Sequence, residues 1–450
     1  MKRGHSIAFA VMAVLAMVCA PLAAAGLGAG AEDTAIGTAF IPEPKEYLYD
    51  LWTDDNNVKI LSVRASIGGS DLVEITGERT SKGPISGFWD FDRGTGLGPF
   101  NSFYAAINIA DGLGEDNGER MLNHRAGTIA FVLDPYDLSK TLKGTTLTGT
   151  YNVMLVIPAV YWKADSNHLY ISSSSSYKAG DMPVSGMVAY AHSLGDGKAF
   201  TNVFPYIGIG VYEATVVGDA LLSVSGFEPT ADKTCDEFKS CADNAVPADG
   251  SAYQQWNFYQ WTLYKMMSYA VMGTKNSQAM MGDGPVNNSA ASETGLADSV
   301  GPYADSSPSY SKLFIENPWG SLCEFVGDAA FCDKVLHAGN SLGGSALGEQ
   351  TSEGASVART GWITAASTDS STWDLPISSQ SASNAGDLGA PGDYVWSYSG
   401  WRSLLVGGSW IVGSYAGVAY LSGYDDLSFS NPFLGARLAY AMSDDVLPMR

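Results

Sequence analysis

The clearest helical period in this chain is the stretch 256–271. Trp256, Tyr259, Leu263, Met266, Met267 and Ala270 recur there at helical spacing, on one face, and Gly273 stops the run. Side chains this large on one face predict a core helix rather than a cofactor box. Residues 233–242 read as a second, shorter helix. Almost everywhere else the 51 glycines among 450 residues break the chain into short pieces. Segments 58–67, 72–77, 128–133, 153–161, 169–175 and 207–215 read as strands, with Pro158 restricting where 153–161 sits in a sheet. Asp134 and Asp137 in DPYDLSK read as caps of a short helix. Stretches 282–308 and 367–392 have the Gly/Ser/Asn chemistry of loops, the first with an Asn287-Asn288-Ser289 sequon. No tandem repeat of solenoid period is present.

Both the N-terminus and the composition point outside the cytoplasm. Lys2 and Arg3, an uncharged apolar run over 7–18 and the small residues Ala23-Ala24-Ala25 follow the order of a secretory signal. Cleavage near residue 25 is the expectation, and an uncleaved anchor over 7–27 is the alternative. Cys19 follows Met17-Val18, a poor setting for a lipoprotein cysteine. Residues 411–421 are too short and too rich in glycine to span a bilayer, and Asp444-Asp445 argue against a C-terminal anchor tail. Hydrophobic residues make up 46% and charged residues 16%, which suits a sizeable core in a β-rich extracellular protein. A net charge of -22 opposes nucleic-acid backbones and anionic membrane surfaces.

Beyond the signal, Cys235, Cys241, Cys323 and Cys332 allow three pairings, and their closeness in sequence favours two local disulfides, 235–241 and 323–332. Zinc is disfavoured by the spacing and by the single nearby His337. The other histidines, His5, His124, His168 and His192, form no metal-protease pattern. Gly339–Gly343 spells Gly-x-Ser-x-Gly but lacks the strand and helix that a nucleophile elbow needs.

Three blocks stand in a telling order: FYQWTLYKMMSYAVMGTKNSQAMMGDG at 258–284, FIENPWGSLCEF at 314–325 and LVGGSWIVGSYAGVAYLSGYDDLSFSNPFLGARLAYA at 405–441. The set resembles the C-type-lectin-like domain of formylglycine-generating enzymes, sulfatase-modifying factors and the variable proteins of diversity-generating retroelements. It is also similar to phage tail receptor-binding proteins. The matching structural residues are Glu316, Asn317, Pro318, Trp319, Gly320, Gly407, Gly408, Ser409, Trp410, Gly435 and Arg437, with Ala436 a departure where the family has Phe. Arg437 is expected to pair with Glu316 or Glu324. YNVMLVIPAVY at 151–161 and IGIGVYEA at 207–214 resemble the lead-in segments of such proteins. FNSFYAAINIADG at 100–112 and IAFVLDPYDLSKTLKG at 129–144 resemble secreted adhesin-like proteins.

The resemblance implies an exported, adhesin-like archaeal or bacterial protein of α+β class. Its parts would be a signal peptide (1–25), a β-rich N-terminal region (33–145), a strand-rich middle (146–215) and a C-type-lectin-like domain (216–450). The enzymatic branch of the family uses cysteines in the Gly-Gly-Ser segment, and residues 409–415 here contain none, so no catalytic residue is expected. The expected function is binding of a glycan or cell-surface protein; a structural subunit of a surface layer, sheath or filament is the alternative. In the retroelement proteins the binding face is built around the Gly-Gly-Ser-Trp block. Aromatic residues crowd the corresponding region here: Trp362, Trp373, Trp396, Tyr398, Trp401, Tyr415, Tyr420 and Tyr424. By that resemblance Trp396, Tyr398, Trp401, Tyr415 and Tyr424 are candidate ligand contacts, with Ser414 and Asp425 as polar partners. The alternation in 396–398 puts Trp396 and Tyr398 on one face if that segment is extended. No cofactor is implied; Asp425 and Asp426 leave calcium open, although surface charge is the plainer role.

Overall fold

Residue 257 opens the central helix. In the computed structural model Asn257 caps the helix Phe258–Met272: its carboxamide oxygen accepts the Gln260 N–H at 2.9 Å, and the Gln260 side chain accepts the Asn257 N–H at 2.9 Å. Gly273, at φ 66, ends it by donating to the Tyr269 carbonyl. The model describes residues 45–53, 61–67, 73–75, 90–179, 182–197, 199–341, 352–386 and 391–447. The signal-like segment at 1–25 lies outside them, as do parts of the strands expected at 58–67 and 72–77.

The expectation of a one-sided helix is corrected: all of Phe258–Met272 is buried, including Gln260, Thr262, Lys265 and Ser268. Trp256 precedes the cap. The helix is an axle rather than a lid, and it packs against strands Leu61–Ile67, Cys323–Cys332 and Gly417–Gly423.

The α+β class is also corrected. The protein is mainly β: thirty strands and three α-helices, Cys235–Asp243, Phe258–Met272 and Ser277–Met281, occupy the described residues. The reason lies in the sequence. Residues 256–271 combine an apolar helical period with freedom from helix breakers, whereas most of the remainder has strand-like or glycine-broken patterning and forms short strands.

A seven-stranded antiparallel sheet runs in the order Ala252–Gln255, Leu438–Met442, Tyr206–Gly210, Tyr151–Pro158, Phe103–Asn108, Ile129–Asp134, Asp137–Thr141. Both its faces are covered. Tyr104, Ala106, Leu155, Ile157, Ile207 and Ile209 point into the core that holds the central helix. Phe103, Ala105, Ile107, Met154, Val156 and Tyr440 point into a second core with Phe238 of the short helix. Burial on both faces is why 151–158 reads as one apolar run rather than an alternation. The 134–137 segment is a hairpin turn, not a helix start: Asp134 accepts the Tyr136 N–H at 2.9 Å between strands Ile129–Asp134 and Asp137–Thr141.

A second sheet of nine strands carries the C-terminal half, with Trp401–Gly407 between Cys323–Cys332 and Gly417–Gly423. The two local disulfides are corrected: all four thiols are free. Cys235 and Cys241 sit about 1.7 turns apart on one helix and so face different ways. Cys323 and Cys332 stand at opposite ends of one strand, roughly 30 Å apart when extended. A disulfide holds its Cα atoms about 5.5–6 Å apart. Closeness in sequence became distance once secondary structure formed.

A candidate ligand-binding face

The face rests on a buried polar scaffold built by the recognised blocks. Arg437, fully buried, donates from Nε to Glu324 at 3.0 Å, and its Nη2 meets the same carboxylate. Its remaining N–H groups go to main-chain carbonyls of Gly210 (2.9 Å), Val211 (3.0 Å), Glu316 (2.9 Å) and Asn317 (3.2 Å). Of the two acids expected to pair with Arg437, Glu324 provides the carboxylate. The Glu316 carboxylate instead accepts the N–H groups of Gly295 (2.9 Å) and Ala297 (2.7 Å), pinning the loop that precedes strand Tyr303–Ser307. Glu213, a residue sequence reading missed, takes the Leu322 N–H and the Ser321 hydroxyl at 2.7 Å each, and the Asn317 amide at 3.1 Å. Burial, reinforced by the charge of Glu324, pushes the Glu213 carboxyl up to about 8. Trp319 is buried, and its indole N–H reaches the Asp283 carbonyl at 3.1 Å.

The Gly407-Gly408 pair turns the chain out of strand Trp401–Gly407 at φ 82 and 81, and a Cβ on Gly407 would lie 2.8 Å from the Pro318 carbonyl. The loop that follows, 409–416, is held from below. Trp410 donates its N–H to the Ser321 carbonyl at 2.8 Å, and Gly413 donates to Val286 at 3.1 Å. The Gln278 amide reaches the Gly413 carbonyl at 3.2 Å, and the Ser277 hydroxyl accepts the Val418 N–H at 3.0 Å. The Asn-Ser-Gln run after the central helix therefore braces this loop and the strand beyond it.

Above the scaffold lies a connected set of rings. Strand Tyr394–Ser397 buries Val395 and Ser397 and leaves Tyr394 and Trp396 half-exposed. Ring centroids run Trp362–Tyr394 at 5.4 Å, Tyr394–Tyr415 at 4.4 Å, Tyr394–Trp396 at 4.9 Å, Trp396–Tyr424 at 6.3 Å and Tyr424–Tyr398 at 4.8 Å. Tyr424 is 52% exposed, Tyr398 39% and Tyr415 36%. Arg402 ties two edges of the face together, donating to the Ser399 carbonyl at 2.8 Å and the Tyr424 carbonyl at 3.1 Å.

Of the nominated residues, Trp396, Tyr398, Tyr415 and Tyr424 are thus brought into one patch. Ser414 is exposed in the one-turn helix Gly413–Tyr415, and half-buried Asp425 follows Tyr424. Burial, then the charge of Asp426, pushes the Asp425 carboxyl up to about 6 against the pull of Arg402. Trp401, 44% exposed, leaves the patch: its ring lies 4.9 Å from that of His337. Trp373 and Tyr420 are core residues. Tyr394 and Trp362 are the rings that sequence reading missed as contacts. Tyr394 carried a signal, two residues before Trp396 in a strand, whereas Trp362 joins only because it pairs with Tyr394 across two strands.

No family model matches the chain, and no curated protein matches it. Among solved structures, "Major Tropism Determinant P3c Variant" is 12% identical, over 86% of this chain and 82% of its own, at a TM-score of 0.25. "Treponema denticola variable protein 1" is 11% identical, over 65% of this chain and 98% of its own, also at 0.25. Scores this low establish neither a shared fold nor a shared activity.

The groups that carry chemistry elsewhere are tied into structure. Burial pushes the Cys235 thiol up to about 12 and raises Cys241 and Cys323, the reverse of what a thiolate nucleophile needs. His192 is buried against the Ile157 carbonyl at 3.1 Å, and burial pulls it down to about 4. Ser341 donates its hydroxyl to Asp328 at 2.9 Å. Among the described residues no group of three acidic, Cys or His side chains is placed to hold a metal ion, and no helix is long and apolar enough to cross a membrane.

Proposed function

We infer that this protein is a non-catalytic binding protein that engages a glycan or protein on a cell surface through the 394–424 aromatic face. The observation that carries this reading is the continuous contact of six rings, three of them exposed, over a hydrogen-bonded scaffold. Stiff amphipathic rings offer large contact area at low entropic cost, and exposed apolar clusters of this kind are unusual on a surface with no partner. Export belongs to the proposal and rests on the N-terminal signal alone, because the thiols are free.

The test is a glycan and cell-surface binding screen of the full chain, repeated with Tyr398→Ala and Tyr424→Ala. Binding by the parent that both variants lose, with thermal unfolding unchanged, is the expected result. Variants that bind as well as the parent would remove this face. Glycan arrays and protease-treated cells separate a carbohydrate from a protein partner.

A further inference from the structure

Deep below the face, a cluster of charged side chains sits where charge is costly. Lys265, in the middle of the central helix, and Asp374 have 0% and 3% side-chain exposure, with Nζ 3.1 Å from Oδ2. The same ammonium donates to the Asp374 main-chain carbonyl at 3.0 Å and lies 3.8 Å from the centre of the Trp261 ring. Lys275 covers the other carboxylate oxygen, Oδ1, at 2.8 Å. The Tyr269 hydroxyl donates to Oδ2 at 2.8 Å. Burial, and then the charge of Asp374, push the carboxyl of Asp393, a second buried acid, well above the usual carboxylate range, while Lys265 pulls it the other way.

A buried amine held against a buried carboxyl, away from competing water and flanked by proton donors, is the arrangement that amide formation needs. We propose that Lys265 and Asp374 condense spontaneously into an intramolecular isopeptide bond between the central helix and the turn after Ser370–Thr372.

The balance closes without a co-reactant. The Nζ–Cγ bond forms and the Cγ–Oδ2 bond breaks. Two of the three ammonium protons leave with Oδ2 as water, and one stays on the amide nitrogen. Lys275 sits on the oxygen that remains and stabilises its developing negative charge, and Tyr269 sits on the oxygen that departs. Below its titration point the resting pair is ionic, since the two lysines hold Asp374 under the usual carboxylate range. Burial pulls Lys265 down to about 8, which brings the free amine within reach near neutral pH. The product exchanges a buried ion pair for a neutral amide and ties the helix to a segment more than a hundred residues further on, separated by 109 positions.

The full chain, unfolded and digested with trypsin, decides the matter by mass. The expected result is one branched peptide joining the Lys265 and Asp374 segments, one water lighter than their sum and uncut at Lys265. The Lys265→Ala chain should carry its full sequence mass. Recovery of the two segments as separate peptides overturns the proposal. So does a water loss that persists in Lys265→Ala, because a cyclised aspartate alone would give that.

Discussion

The Arg437 cluster and the aromatic face both draw on the nine-stranded sheet, through Glu324 on one side and Trp362, Tyr394 and Trp396 on the other, and are built on opposite terms. The buried Arg437 guanidinium is matched donor to acceptor by Glu324 and four carbonyls, and Glu213 braces the neighbouring 317–322 segment. At the face Trp396 rests on the second core, while Tyr398, Tyr415 and Tyr424 are exposed and contact neighbouring rings. In the first region each buried polar group is set by its partner, so a single change leaves the other one unpaired. The second leaves its side chains replaceable, since the backbone beneath is fixed by Gln278, Ser277 and Ser321 rather than by the rings. Precision and variability are thereby separated into layers.

Breaking the lower layer should have the largest effect. Arg437→Ala leaves Glu324 buried and unpaired and is expected to cost about 3–5 kcal/mol in urea unfolding. An Arg437→Met, Glu324→Leu double variant should recover much of that loss, and failure to recover would mean the carbonyl contacts matter more than the charge pair. Changes in the upper layer should separate the two readouts. Tyr424→Ala is expected to cost about 2 kcal/mol of partner binding while shifting stability by less than about 0.5 kcal/mol. A large loss of stability there would merge the layers.

A smaller effect should appear with pH. Glu213 has an ordinary value of 4.5 and a folded one of about 8, so the folded chain holds a proton that the unfolded chain gives up. Its contribution is complete below about 4.5 and is lost as pH rises through 8. Glu213→Gln, which mimics the protonated acid, should flatten that decline in a pH series of thermal unfolding; an unchanged slope would assign it to other groups. Smallest of all, removing reductant should change nothing: the unfolded chain should label at all four described thiols with maleimide, and labelling that requires reduction would restore a disulfide.

Much of this was legible locally. The central helix could be read because its period and its Gly273 stop lie within one short window. Its facing could not, because Lys265 is made acceptable by Asp374, and Gln260 by its role in the cap. The choice between Glu316 and Glu324 for Arg437 turned on contacts across 121 and 113 residues. The disulfides were misread for the converse reason, proximity along the chain standing in for proximity in space. On the face, the Trp396 and Tyr398 alternation was visible, whereas Trp362 depended on a strand register that no local pattern fixes.

The placement of strand Leu438–Met442 has a consequence for how the molecule comes into being. It lies between Tyr206–Gly210 and Ala252–Gln255, so two segments made early meet only through one made near the end. During synthesis the first sheet has a gap in its order until residue 442 has been released, and the earlier strands wait with unpaired edges. Such non-local closure is slow and exposes the chain to aggregation in the interval.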